Sequence, residues 1–301
     1  MRFGLFGTGP WAHLAHAPAL AAHPGVEFAG VWGRNPDKAA ELAGQHGARA
    51  YTDEAELLAD VDAVAIALPP SVQGPLAVRA ARAGRHLLLD KPIAMTNAEA
   101  AEIVAAVAER DLASVVFFTR RLMPQLAEFL ADAAATGGWT EARVDHLGSI
   151  FTDDNPFGAS PWRKESGGLW DVGPHALALL LPVLGPVTEV TGLAGPRDMT
   201  HLLLRHASGT ISNLTLSVDA PPAAERENAL FAGEAGVRTP PDMPWSPVEA
   251  LGRAIDELIA KAGGGPASEL DVRFGAEVTA ILVAAQESIA SGRTVPVGSA
   301  R

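Results

Sequence analysis

The chain has 301 residues, 48% of them hydrophobic, with 23 basic and 35 acidic side chains for a net charge of −12, and it has no cysteine. The acidic balance without a basic run argues against nucleic-acid and anionic-membrane partners, which need clustered Lys and Arg. The lack of cysteine excludes disulfides, thiolate metal sites, iron–sulfur clusters and cysteine nucleophiles.

The length suits two domains, each with its own core. The start, Met1 to Gly7, reaches a glycine loop too early for a signal peptide. The most apolar later stretch, Ala176–Leu184, holds Pro182 and falls short of the ~20 residues of a membrane span. A cytoplasmic location is the expectation.

Over residues 1–120 short apolar runs alternate with Ala-rich segments of helical spacing. The runs are Phe3–Phe6, Phe28–Trp32, Ala63–Leu68, His86–Leu89 and Val115–Phe118. Between them lie Trp11–Ala22, Pro36–His46, Glu54–Leu58, Gln73–Ala83 and Asn97–Glu109. This alternation predicts an α/β domain, a doubly wound parallel sheet with helices on both faces. Residues 121–301 follow another pattern. Helices are predicted at Met123–Ala135 and Gly168–Leu184, then consecutive strands at Val187–Leu193, His201–His206, Thr210–Val218 and Asn228–Ala232. Strands without intervening helices predict an α+β domain with a mostly antiparallel sheet. Pro240 to Pro247 is a proline-rich loop, and helices at Val248–Lys261 and Glu269–Ser291 close the chain.

Gly7-Thr8-Gly9-Pro10-Trp11-Ala12 follows the first strand and opens a helix. This G-x-G-x-x-A order gives a tight turn at Gly7, close backbone approach to a pyrophosphate at Gly9 and a small packing residue at Ala12. The helix N-terminus then offers N–H groups to phosphates. A NAD site places a carboxylate at the end of the second strand for the ribose 2′-OH. Here the sequence is Val31-Trp32-Gly33-Arg34-Asn35, with no carboxylate before Asp37. Arg34 suits a 2′-phosphate, so NADP(H) is expected over NAD(H). The alternative is that Arg34 is a solvated surface charge and either cofactor serves.

Three further segments accompany the loop: Leu68-Pro69-Pro70, the run Ala83-Gly84-Arg85-His86 through Asp90-Lys91-Pro92, and Gly167-Gly168-Leu169-Trp170-Asp171-Val172-Gly173-Pro174-His175. In this order they resemble the Gfo/Idh/MocA family, which includes glucose–fructose oxidoreductase, inositol dehydrogenases and dihydrodiol dehydrogenases. Trp162-Arg163, Phe231 to Gly236 and Asp271 to Gly275 extend the resemblance over nearly the whole chain. It implies a Rossmann domain, then an α+β domain whose open sheet mediates a homodimer or homotetramer. It also implies a cis Lys91–Pro92 bond and site roles for Lys91, Asp171 and His175. The chain departs from the family in three places. Asp90 replaces the usual Glu of E-K-P, Gln73 stands near a common His, and Ala178 replaces an Asp common three residues after the catalytic His.

The chemistry of these residue types agrees with the resemblance. Moving hydride to or from an alcohol carbon needs a group that takes or gives the hydroxyl proton. His175 suits either step because an unperturbed imidazole has a pKa of ~6.5, and Asp171, four residues earlier, shares its face on a continuous helix. Lys91 follows the end of a parallel strand, where open α/β sheets bind ligands. The chain has only four lysines, Lys38, Lys91, Lys164 and Lys261, so one inside a motif is less often incidental.

The expected cofactor-binding set is Gly7, Thr8, Gly9, Pro10, Trp11, Ala12, Gly33, Arg34, Asn35, Pro69, Pro70 and Lys91. Trp162 and Arg163 either close over substrate or make an ordinary loop contact. Arg120 and Arg121 face either a cleft or solvent. His13, His16 and His23 are expected to serve packing or to face solvent. Asp171 and His175 lack the third ligand of a metal site, so none is expected. The expected activity is NAD(P)-dependent hydride transfer with a small sugar, polyol or related cyclic alcohol or ketone. The alternative is a nucleotide-binding sensor on the same scaffold without turnover.

Overall fold

In the computed structural model, which describes residues 1–298, the alternating half of the chain becomes a strand–helix series. β1 (Arg2–Phe6) leads through a π-turn at Ala12–His16 into α1 (Ala17–Ala22). Then come β2 (Glu27–Trp32), α2 (Pro36–Gln45), β3 (Arg49–Tyr51), α3 (Glu54–Asp60) and β4 (Ala63–Ile66). α4 (Pro70–Arg82), β5 (His86–Asp90), α5 (Asn97–Ala108) and β6 (Ser114–Phe117) complete the series. The six strands are parallel in the order β3-β2-β1-β4-β5-β6. Every residue of β4 and β6 is buried, as continuous apolar runs in a sheet covered on both faces require. The order reverses beside β1, which puts a ligand crevice at the carboxyl ends of β1 and β4. Asn35, Asp53 and Thr96 cap α2, α3 and α5 by accepting from the backbone N–H groups of Lys38, Ala55 and Glu99.

The later elements are α6 (Pro124–Thr136), β7 (Trp139–Leu147), α7 (Pro161–Asp171), α8 (Gly173–Leu184) and β8 (Val187–Ala194). β9 (Thr200–His206), β10 (Ile211–Ser217), β11 (Arg226–Gly233) and β12 (Gly236–Arg238) follow. Last are α9 (Pro247–Ala262), α10 (Val272–Ser291) and β13 (Val295–Pro296). The second sheet runs β12-β11-β7-β10-β9-β8-β13, and every pairing is antiparallel except β7 with β10. β7 was not expected from the sequence, because Glu141, Arg143, Asp145 and His146 interrupt its apolar pattern. β9 alternates buried Leu202, Leu204 and His206 with exposed His201, Leu203 and Arg205, so the sheet is covered on one face only. α8 packs against β7 and β10 on the covered side.

The chain divides into two compact units, residues 1–122 with 244–276, and residues 123–243 with 277 onward. The sequence assigned α9 to the second domain, whereas α9 packs on β5, β6 and the π-turn of the first unit. Its buried Leu251, Ile255 and Leu258 form a stripe whose spacing shows that it packs but not on what. Residues 161–184 are long and apolar enough to cross a membrane, but 72% of that window is buried inside the protein, as befits core helices.

Two histidines, buried His206 and half-buried His86, make stability pH-dependent. The His206 ring sits between the Gly185 carbonyl oxygen (2.8 Å) and Ser212 Oγ (2.9 Å). Burial lowers its pKa below 6.5, partly opposed by the Gly185 carbonyl. His86 Nδ1 accepts the Ala113 N–H at 3.0 Å, and burial lowers its pKa too. Below pH 6.5 the unfolded chain therefore binds more protons at these rings than the folded one, so stability falls as pH falls from 6.5 toward the lowered folded values. The melting temperature is expected to drop between pH 7.5 and 5.5, and His206→Gln to flatten part of that slope. An identical slope in the variant would exclude His206 as a source.

Candidate active site

Carboxyl ends of the parallel strands carry the dinucleotide loop and Lys91 in the first unit. β1 ends at Phe6, and the Gly7 N–H donates to the Trp32 carbonyl oxygen at 2.9 Å. Gly7 has φ +133°, and a Cβ there would lie 2.3 Å from the Ala67 carbonyl oxygen, so no other residue fits. A Cβ on Gly9, by contrast, would meet no atom within 4 Å. Gly9 is exposed and bare on that side, the approach a pyrophosphate needs. The loop therefore fits a dinucleotide. Pro10 is exposed beside it, and buried Ala12 begins the π-turn. Gly33, at the end of β2, lies against the Thr8 side chain. Arg34 is exposed and has no carboxylate partner among the described residues. The Asn35 side chain is engaged in capping α2. Pro69 and Pro70 form the N-terminus of α4, next to the end of β4.

Lys91 follows β5, and its bond to Pro92 is cis. The turn is held from two sides. Gln73, fully buried on α4, donates from its amide nitrogen to the carbonyl oxygens of Asp90 (2.7 Å) and Pro92 (3.1 Å), and its Oε1 accepts the Asp90 N–H (2.8 Å). Asp90 Oδ1 accepts the Lys91 N–H at 3.1 Å. Gln73 thus fixes the strand end that presents Lys91. Arg120 lies over the Trp245 ring, and Arg121 is buried beside Glu269 (3.6 Å), with its pKa lowered chiefly by desolvation.

The second unit carries Asp171 and His175. α7 is kinked at Gly167 (φ 61°), and Val172 separates it from α8, so the two residues do not share one uninterrupted helix as the sequence suggested. Asp171 is buried and accepts from Arg163 Nε at 2.8 Å. The Arg163 guanidinium in turn lies over the rings of Phe157 (5.0 Å) and Trp162 (4.8 Å). Trp162 and Arg163 are therefore joined to Asp171 in one stacked ion-paired cluster. The His175 ring stacks on His146 at 5.9 Å, and His146 Nδ1 stands 3.9 Å from Glu227 Oε1. His146 lies on the unforeseen strand β7, so no sequence pattern joins it to His175.

Asp198 anchors the start of this helix pair. Its carboxylate accepts from the backbone N–H groups of Gly168 (2.8 Å), Val218 (2.8 Å) and Asp219 (3.1 Å), and from Ser217 Oγ. A Cβ on Gly168 would sit 2.5 Å from Ser217 Cα, so this glycine lets α7 approach the end of β10. Asp198 and His146 carry no signal in the sequence because each acts on a partner distant in the chain, and Gln73 stands out there only as a departure from the family's common His.

Comparison with known proteins agrees with this layout. An NAD-binding Rossmann-fold oxidoreductase family model, GFO/IDH/MocA, matches residues 1–118, and the C-terminal domain model of that family matches residues 132–237. The chain is 31% identical over 262 residues to the dTDP-3,4-didehydro-2,6-dideoxy-alpha-D-glucose 3-reductase of Streptomyces antibioticus, covering 80% of this chain and 77% of the relative. The chain belongs to the Gfo/Idh/MocA family. Another relative is the UDP-N-acetylglucosamine 3-dehydrogenase of Acidithiobacillus ferrooxidans, 29% identical over 86% of this chain and 85% of the relative. Among solved structures, GenD2 from gentamicin A biosynthesis in complex with NAD superposes with a TM-score of 0.87 at 23% identity, covering 99% of this chain and 97% of that one. The family membership makes the protein an oxidoreductase with an NAD(P)-binding Rossmann fold, in preference to a sensor without turnover.

Proposed function

We propose that this oxidoreductase prefers NADP(H) and transfers hydride between the nicotinamide and a CH–OH or keto carbon of a sugar, polyol or related cyclic compound. The single observation that carries the chemical class is the 31% identity to a nucleotide-sugar 3-reductase over 80% of the chain. Nucleotide-linked hexoses are accordingly the first substrates to test. The nicotinamide, when bound, supplies the hydride acceptor or donor. In oxidation an unprotonated ring nitrogen of His175 takes the hydroxyl proton, and in reduction the imidazolium returns it. The Lys91 ammonium donates a hydrogen bond to the reacting oxygen. Asp171, neutralised by Arg163, keeps a negative charge next to that chemistry without leaving a bare buried carboxylate.

The NADP(H) preference rests on Arg34, an exposed guanidinium with no carboxylate partner among the described residues, at the end of β2. The enzyme is further proposed to work as a homodimer or homotetramer joined through the open face of the second sheet. Leu193 (66% exposed) and Leu203 (48% exposed) lie on that face, since the β8–β9 register pairs Thr191 with Leu203 and Leu193 with His201.

Parallel fluorescence titrations with NADPH and NADH test the cofactor reading. NADPH is expected to bind about 10-fold or more tightly, as a charge-assisted phosphate contact provides, and Arg34→Ala to erase the difference. Preference for NADH would overturn the Arg34 assignment. Light scattering on the same sample is expected to give a dimer or tetramer mass; a monomer would overturn the interface.

A further inference from the structure

The π-turn after the dinucleotide loop ends on His16, which is completely buried. Neither ring nitrogen of His16 has a hydrogen-bond partner among the described residues. A buried imidazole left so is costly, and a packing role alone would be filled better by Phe or Leu. The surroundings of the ring indicate what it serves. Its edge meets the Phe117 ring at 5.9 Å, and Phe117 stacks on Trp11 of the loop at 6.1 Å. Nε2 stands 3.7 Å from Asp90 Oδ2, within ion-pair range. The other oxygen of that carboxylate accepts the Lys91 N–H, and the Asp90 backbone is held by Gln73. Loop, His16, Asp90 and Lys91 thus form a continuous chain of contacts at the carboxyl ends of β1, β5 and β6. The turn that places His16 is a π-turn, a feature enriched at functional sites because the extra residue re-aims the side chains after it.

We propose that His16 is a positioning residue that joins the dinucleotide loop to the Lys91 turn through Asp90. Docking of a dinucleotide on Gly9 and orientation of the lysine backbone are then one coupled event. The inference rests on the dinucleotide-binding reading of the loop.

The test is fluorescence titration of the full-length protein with NADPH and NADH, using wild type, His16→Phe, Asp90→Asn and the double variant. Each single change is expected to weaken binding about 3- to 10-fold, and the double variant to bind no more weakly than the worse single one, as coupled neighbours do. His16→Gln, which keeps a donor near the Nε2 position, is expected to restore most of the affinity, a rescue that a packing role would not give. Should His16→Phe fail to fold, His16→Leu, which likewise removes both ring nitrogens, and Asp90→Asn carry the same cycle. Unchanged affinity in a folded His16→Phe, or losses that multiply in the double variant, would overturn the inference while leaving dinucleotide binding intact. Failure of wild type to bind either dinucleotide would overturn the cofactor reading and this inference with it.

Discussion

Lys91→Ala is expected to lower kcat by about 10²- to 10⁴-fold, the range over which one positioned proton-handling or hydrogen-bonding group contributes, while NADPH affinity stays within about threefold of wild type. The split follows from what the side chain does and does not touch. Gly7 and Gly9 shape the loop after β1 that is proposed to meet the pyrophosphate, whereas Lys91 follows β5. Its backbone is fixed by Asp90 and Gln73 regardless of its side chain, so alanine leaves the strand end in place. What alanine removes is the ammonium proposed to donate a hydrogen bond to the reacting oxygen. Lys91→Arg is not expected to recover activity, because a planar fork does not replace a compact point charge. The measurement is steady-state kinetics paired with cofactor titration. A variant retaining more than a tenth of wild-type kcat would remove Lys91 from the chemistry.

Asp198→Ala carries the largest expected effect on stability. The carboxylate satisfies three backbone N–H groups and one hydroxyl at the meeting of α7 and β10. Alanine strands the Gly168 and Val218 N–H groups and the Ser217 hydroxyl in a part-buried place, while the Asp219 N–H keeps Ser217 Oγ at 3.0 Å. At about 1 kcal/mol or more for each stranded donor, the loss is on the order of 3 kcal/mol. Asn is not a safe replacement, because one oxygen becomes an amide nitrogen facing N–H donors. Since the Gly168 N–H is one of the stranded groups, the start of the helices bearing Asp171 and His175 loosens too. Urea denaturation and kcat are therefore expected to respond together. A variant that melts within 1 °C of wild type would show that the four contacts contribute little.

Much of this architecture was legible in the amino-acid sequence. Apolar runs such as Ala63–Ile66 are buried on both faces, and only a parallel sheet flanked by helices makes such runs. Gly7 could be singled out because its turn excludes every side chain. Local signals failed wherever a contact joined distant parts of the chain. β7 carries four charged or titratable residues in nine, and its buried Trp139, Ala142, Val144 and Leu147 are spaced three, two and three apart, so it shows no strand period. β3 has three residues, too few for a period. The helical spacing of Asp171 and His175 suggested one face, but the chain breaks at Val172 and the carboxylate turns to Arg163. Nothing in the sequence connects His16 to Asp90, 74 positions later, so its spacing alone points to packing or solvent.

The route of the chain has a consequence for its birth on the ribosome. β1 to β6 emerge first, but α9, which covers β5 and β6, begins only at Pro247. At ordinary elongation rates the intervening residues take on the order of ten seconds to appear. Throughout that interval the nascent parallel sheet keeps an apolar flank bare, and Leu251, Ile255 and Leu258 are the side chains that eventually seal it. A fragment ending near Leu122 would stay in that half-sealed condition permanently, a sticky intermediate rather than a miniature of the dinucleotide-binding unit.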